Sequence, residues 1–287
     1  MLQRPSRVAA IHDLSGFGRC SLSVISPILS VMGIQPVPVP TAVLSTHTGG
    51  FHDVVFRDLS DYILPALHQY QAEHLEFECI YTGFLGSQEQ IGHCLDFIAA
   101  YPNALTLVDP VMGDHGERYK TYTPSMCDCM RQLVKKANVI TPNPTEMHLL
   151  LGQEYDPRPL PHQKLKTNLL KLSEMGPDTV IVTGVELADM TVNNIGYDRK
   201  RGAFWRVKCS YMPVSYPGTG DIFASVVVGS LLKGDSLPIA MERATRFLEL
   251  AIKRTFSYST DRRFGVMLEP NLSWLAQEQV LDQYEVF

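Results

Sequence analysis

Residues 105–114 read Leu105-Thr106-Leu107-Val108-Asp109-Pro110-Val111-Met112-Gly113-Asp114, a short β-prone run that closes on a carboxylate and is stopped by proline. Leu105 to Asp109 is a strand candidate. Helical patterns stand on either side, Ile91 to Ala100 before it and Pro124 to Lys135 after it. Further out, Phe77 to Thr82, Val139 to Thr141 and Thr179 to Thr183 repeat the strand pattern, and Leu165 to Glu174 repeats the helical one. Such alternation predicts an α/β fold with three layers, a mostly parallel central sheet flanked by helices.

The same rhythm reaches the ends of the chain. Arg7 to His12 is β-prone, and a glycine-containing turn (Ser15, Gly16, Gly18) leads to a helix from about Cys20 to Met32, stopped by Gly33. Pro36, Pro38 and Pro40 alternate with Val37 and Val39, which predicts an edge strand or an irregular extended arm, because proline cannot donate to a ladder. Thr191 to Tyr197 and Ala203 to Cys209 flank a polar turn and read as an antiparallel hairpin. Two helices follow. In the second, Ala240, Ala244, Phe247, Leu248 and Ala251 recur on one face, with Glu242, Arg243, Arg246, Glu249 and Lys253 on the other. No composition break divides the chain, so a single domain over 1–287 is expected.

With 287 residues and 32.1 kDa, the chain can bury roughly 75% of its extended surface without staples. A composition of 45% hydrophobic and 19% charged residues excludes disorder. A net charge of -5 and a pI near 6.0 give no electrostatic reason to bind nucleic acid or an anionic membrane. The apolar run Val8 to Ile11 is too short for a signal peptide, and Ile222 to Leu232 is too short for a membrane span, so a cytoplasmic location is expected. The six cysteines are expected as reduced thiols, with Cys127 and Cys129 on a helix surface rather than at a zinc ion.

Ligands of open α/β sheets bind outside the carboxyl ends of the strands. Asp13, His47, Thr48, Gly83, Phe84, Asp109, Thr141, Asn143, Thr183 and Gly184 all follow predicted strands or the proline arm, so one crevice could collect them. The sharpest motif is Gly218-Thr219-Gly220-Asp221, just before a small apolar helix. Glycines let backbone N–H groups approach an anion, and the helix N-terminus attracts it. A carboxylate there makes sense if Asp221 accepts the proton of an attacking hydroxyl while the amides hold a phosphoryl group. A bland alternative is an aspartate that caps its own helix. Asp109 to Asp114 and Thr141-Pro142-Asn143-Pro144-Thr145-Glu146 supply hard oxygen donors at two more strand ends, which suit Mg²⁺ held through water beside nucleotide phosphates.

In this order and spacing, the three motifs resemble the ribokinase-like superfamily, and within it the vitamin B6 and hydroxymethylpyrimidine kinase branch, most closely the pyridoxal/pyridoxamine kinase family. Thr46-His47-Thr48-Gly49 and Tyr81-Thr82-Gly83-Phe84 add to the resemblance, which spans essentially the whole chain. It implies ATP-dependent phosphorylation of the hydroxymethyl group of a B6 vitamer by a homodimer, with ATP and Mg²⁺ as cofactors and a monovalent cation such as K⁺ as an additional candidate. By matched position it implies Asp221 as catalytic base, Gly218 and Gly220 as the anion hole, and Asp109 and Glu146 around the metal. Thr141, Asn143, Glu146, Thr183, Gly184 and Thr219 would face the nucleotide. Asp13, His47, Thr48 and Phe84 would border the substrate, with Tyr122 as a flap over it. Family members commonly carry Ser and Tyr where this chain has Asp13 and Phe84. Phe84 keeps a stacking face without a hydroxyl, and Asp13 adds a charge expected to favour cationic substrates such as pyridoxamine.

Hydroxymethylpyrimidine phosphorylation is the alternative, since Asp13 to Gly16 also resembles that branch. Gly16-Phe17-Gly18-Arg19-Cys20-Ser21 is an incomplete dinucleotide fingerprint, and no acidic ribose partner follows at the next strand end, which argues against an oxidoreductase. A catalytically silent B6-binding protein would be expected to lack Asp221, Asp109 or Glu146. His12, His47, His52, His115 and His148 form no helical metal pair, so solvent or supporting roles are expected for all but His47.

Overall fold

The computed structural model describes residues 4–210 and 214–287. In chain order the first half runs β1 (Arg7–Phe17), α1 (Leu22–Val31), β2 (Gln35–Thr46), β3 (Phe56–Asp58), α2 (Ser60–Ala72), β4 (Cys79–Thr82), α3 (Gln88–Ala100) and β5 (Leu105–Val108). A small hairpin, β6 (Gly113–Asp114) and β7 (Glu117–Arg118), precedes α4 (Pro124–Val134), β8 (Val139–Ile140), α5 (Pro144–Leu151), α6 (His162–Glu174) and β9 (Thr179–Glu186). After the hairpin β10 (Val192–Asp198) and β11 (Ala203–Lys208) come α7 (Thr219–Leu232), α8 (Leu237–Ser257), α9 (Leu272–Leu275) and β12 (Tyr284–Val286). Several helix starts are written locally: Ser87 and Thr123 cap α3 and α4 through their hydroxyls, and Asn143 with Glu146 forms a reciprocal capping box on α5.

The sheet order is β12-β11-β10-β9-β8-β5-β4-β1-β2-β3. Pairing is parallel from β9 to β2 and antiparallel at both ends. Side chains alternate between its faces. Ala9, Ile11, Ile80, Val108, Ile140, Val180 and Val182 enter the core under α2–α6, while Val8, Ala10, Cys79, Tyr81, Leu107, Val139 and Ile181 enter the core under α1, α7 and α8. That two-sided burial is why the strand segments read as continuous apolar runs. From β1 the chain adds β2 on one side and β4, β5, β8 and β9 on the other, so the switch point lies between β1 and β4.

Some expectations need correction. β1 does not end at His12 but continues to Phe17 through the segment expected to turn, because Leu14, Ser15 and Phe17 pair with Val43, Leu44 and Thr46 across a bulge. β2 is an edge only along its prolines. Gln35 donates its N–H to Ser6 on the β1 side, so with a period of two Val37 and Val39 also face β1 and the prolines face away. β3 covers only Ala42 to Leu44, leaving that side open beside the prolines. Cys127 is packed in the core rather than on the helix surface, since it sits on the inward face of α4. Glu242, placed on the outer face of α8, is buried because the C-terminal segment crosses it and Gln283 donates its N–H to the carboxylate. All six cysteines are free, and no helix among the described residues is long and apolar enough to cross a membrane.

The direction of the proline N-positions is testable. Pro38→Ala is expected to change stability by no more than about 1 kcal/mol. Val39→Pro removes a donor facing β1 at a fully buried position and is expected to cost about 1–3 kcal/mol or more, measured by urea unfolding.

Candidate functional site

The first turn of α7 is set by Gly218, whose φ of 79° is left-handed and where any Cβ would run into the Arg19 carbonyl oxygen. Helix α7 then opens with Thr219, Gly220 and Asp221, whose amides have no intrahelical acceptor. Asp221 does not cap its own helix. Its Oδ2 accepts the Ser21 backbone N–H at 2.8 Å, and its carbonyl oxygen accepts the Ser225 hydroxyl at 2.6 Å. Its Oδ1 lies 4.0 Å from His12 Nδ1 on β1, and the Tyr81 hydroxyl of β4 donates to its carbonyl at 3.4 Å. Asp221 therefore stands over the switch point.

Two neighbouring strand ends bring in further carboxyl groups. Asp109, just past β5, accepts the Thr141 hydroxyl at 2.9 Å, and its Oδ2 faces Gly220. Glu146 accepts N–H bonds from Asn143 at 2.8 Å and Met112 at 3.2 Å. Burial pushes the Asp221 carboxyl up to about 8, with the Asp109 charge adding to it. Asp109 and Glu146 are raised by burial too, and the Asp109 charge raises Glu146 further. Among the described residues that line this space there is no lysine or arginine to offset them.

The space is a cavity of about 520 Å³. It is lined by Phe84, Asp109, Thr141, Asn143, Glu146, Thr183, Gly184, Gly218, Thr219, Gly220 and Asp221, so most of the residues singled out from sequence meet in one place. A second cavity of about 200 Å³ shares Thr183, Gly184, Thr219, Gly220, Leu248 and Ile252 with it and is closed further by Phe223. Asn143 takes part with its polar atoms committed: its Oδ1 accepts from Glu146 and its Nδ2 donates to the Gly113 carbonyl.

Four expected substrate contacts do not line it. Asp13 is 5% exposed, with its oxygens accepting from Ser21 Oγ at 2.6 Å and Ser15 Oγ at 3.0 Å. His47 accepts the Gly49 N–H at Nδ1 and donates from Nε2 to the Arg263 carbonyl, so it pins its loop. Thr48 is exposed beside it. Tyr122 is 2% exposed in the core, edge-on to Phe84, and the tyrosine that reaches the cavity is Tyr119, 42% exposed. His12 and His148 are buried rather than solvated, because β1 and α5 turn them inward. Burial lowers the His12 imidazole to about 3, so it is neutral, and its ring lies against Gly83, where a Cβ would collide with it. Sequence reasoning missed Ser21 and Tyr119. Ser21 lay inside a weak glycine motif, and its φ of 48° has no signature in the sequence.

Hard oxygen donors without a compensating cation fit a divalent ion such as Mg²⁺. Among the described residues no three His, Cys, Asp or Glu side chains converge as direct ligands, so the donor set fits an ion held through water and ligand oxygens.

Fold and cleft together define a ribokinase-like kinase. The sequence matches the family described as phosphomethylpyrimidine kinase over residues 28–264, and the chain belongs to that family. A Bacteroides thetaiotaomicron protein described as a phosphomethylpyrimidine kinase is 42% identical, with a TM-score of 0.95 over 100% of this chain and 99% of its own. A second crystal form of it, with pyridoxal, gives 43% identity and a TM-score of 0.94 over 99% of this chain and 100% of its own. Pyridoxal kinase from Lactobacillus plantarum is 31% identical, with a TM-score of 0.87 over 94% of this chain and 96% of its own. A pyridoxine/pyridoxal/pyridoxamine kinase from Bordetella avium is 29% identical over 86% of this chain and 85% of its own length.

The raised Asp221 carboxyl has a consequence for stability. The folded state holds this proton more tightly than the unfolded chain, where the ordinary value is 3.8, so the stabilisation is complete below that value and is lost as pH rises towards about 8. The ligand-free protein is expected to lose thermal stability between pH 5 and pH 8, each about a bracket of that window. Asp221→Asn is expected to flatten the slope and raise Tm at the upper end, measured by calorimetry across pH.

Proposed function

We propose that the chain transfers the γ-phosphoryl group of ATP to the 5'-hydroxymethyl group of the B6 vitamers pyridoxal, pyridoxamine and pyridoxine. The observation that carries this reading is Asp221, held away from its own helix by Ser21 and set beside the open amides of α7 in a cavity of this kinase family. The relative with pyridoxal and the pyridoxal kinases of similar fold support the substrate class. As the substrate hydroxyl attacks, its proton passes to the Asp221 carboxylate, the new oxygen–phosphorus bond forms, and the bond to the β-phosphate oxygen breaks to release ADP. Gly218 and Gly220 keep side chains out of the way of the α7 amides, which receive the phosphoryl oxygens together with Thr219.

Thr141, Asn143, Thr183 and Gly184 border the nucleotide phosphates in this reading, and the smaller apolar cavity takes the base. Asp109 and Glu146 would hold Mg²⁺ through its water shell, and the ion would supply positive charge against the phosphates. A monovalent cation such as K⁺ is an additional candidate. Phe84 and Tyr119 offer aromatic faces to the pyridine, and Tyr122 backs Phe84 from the core. The whole chain acts as one kinase domain, cytoplasmic and homodimeric.

Hydroxymethylpyrimidine is the second substrate to test, because the matching family is described as phosphomethylpyrimidine kinase, which names the same pyrimidine ring. ATP consumption with pyridoxal, pyridoxamine, pyridoxine and hydroxymethylpyrimidine, measured side by side, is expected to favour the vitamers. A wide margin for hydroxymethylpyrimidine would replace this reading with the second. Asp221→Asn is expected to lower kcat by about 10²–10⁴-fold while nucleotide affinity changes little. Mg²⁺ should be obligatory, and Asp109→Ala and Glu146→Ala should each raise the Mg²⁺ concentration that gives half the maximal rate. Unaltered metal dependence in both variants would remove these carboxylates from the metal's surroundings.

A further inference from the structure

Ser21 occupies the N-cap of α1, where a serine hydroxyl ordinarily accepts a helix N–H, yet it makes no capping bond. The hydroxyl turns the other way and donates to Asp13 Oδ1 at 2.6 Å. Its backbone is at φ 48° and ψ -136°, an arrangement a residue with a Cβ rarely adopts without being held. In that arrangement its N–H points at Asp221 Oδ2, 2.8 Å away. Asp13 is itself fixed on its other oxygen by Ser15 Oγ at 3.0 Å, and Ser23 Oγ donates to the Ser15 carbonyl at 2.6 Å. Both oxygens of this nearly buried carboxylate are held by hydroxyls, and Asp13 does not line the cavity.

We propose that Asp13 is a positioning residue: by gripping the Ser21 hydroxyl it holds the Ser21 N–H on Asp221 Oδ2 and so leaves Oδ1 aimed at the reacting hydroxyl. This rests on the reading of Asp221 as the base. It replaces the expectation that the Asp13 charge meets the substrate. Removing the grip frees the Ser21 backbone to relax, and the carboxylate of Asp221 then loses its fixed orientation without losing its place in the cavity.

The test compares kcat and KM, with pyridoxal and ATP, for Asp13→Ala, Ser21→Ala, the double variant and Asp13→Asn, in the native and the Asp221→Asn backgrounds. Asp13→Ala and Ser21→Ala are each expected to lower kcat by about 10–100-fold, with KM for both substrates within about threefold. The double variant should be no worse than the weaker single, because both cut the same path. Asp13→Asn should keep most of the rate, since its carbonyl oxygen still accepts from Ser21 while its amide donates to Ser15. In the Asp221→Asn background Asp13→Ala should cost nothing more. A raised KM for pyridoxal at unchanged kcat, or Asp13→Asn as damaging as Asp13→Ala, would make Asp13 a charged substrate contact and overturn the proposal. Additive losses in the double variant would overturn it as well. Should Asp13→Ala fail to fold, Ser21→Ala and Asp13→Asn carry the same comparison. Failure of the base assignment is seen separately, as undiminished turnover in Asp221→Asn alone.

Discussion

A parallel sheet buried on both faces leaves its strand ends as the only part of it where polar side chains can meet a ligand. Every strand from β9 to β2 runs the same way, so its polar terminus emerges on one edge. Asp109, Thr141 and Thr183 reach a common cavity for that reason, although they are far apart in sequence. The α7 N-terminus is brought to the same edge by packing of α7 on α1 and α8 over one face of the sheet.

The site so assembled is dominated by carboxyl groups in a buried setting. Asp221, Asp109 and Glu146 are all raised by burial, and the Asp109 charge makes the other two harder to ionise. Such a cluster is unfavourable to hold empty, and in the proposed reading a bound cation would relieve it. Fixed backbone donors limit the cost: Ser21 on Asp221, and Met112 with Asn143 on Glu146. The same bonds orient the carboxyl groups. Holding the carboxyl groups in the fold and fixing where their free oxygens point are therefore one arrangement here.

Most of the architecture and much of the site can be read from the chain itself. Short apolar runs such as Leu105 to Val108, cut by proline or glycine, encode buried strands, and Asn143-Pro144-Thr145-Glu146 encodes a helix start, because these preferences are local. The glycines around Thr219 likewise mark a place where backbone approaches something closely, whatever the fold. The direction of a side chain is different. Asp13, His47 and Tyr122 follow strands or loops in the right neighbourhood, but Asp13 turns to Ser15 and Ser21, His47 to Gly49 and Arg263, and Tyr122 into the core. Ser21 and Arg263 lie far from their partners in sequence, and Ser21 also depends on a backbone angle that no residue type announces.

The sequence by itself determined the alternation of the main strands and helices, the carboxyl groups available at strand ends and the glycine turn at the start of α7, since each follows from short-range periodicity, turn chemistry and residue type. Only the tertiary structure decided that Asp221 leaves its own helix for the Ser21 amide, that Asp13 is spent inside the protein, and that Tyr119 rather than Tyr122 faces the cavity. Those outcomes depend on which hydrogen-bond partner comes within about 3 Å once distant segments pack, a competition that is settled by geometry across the whole fold.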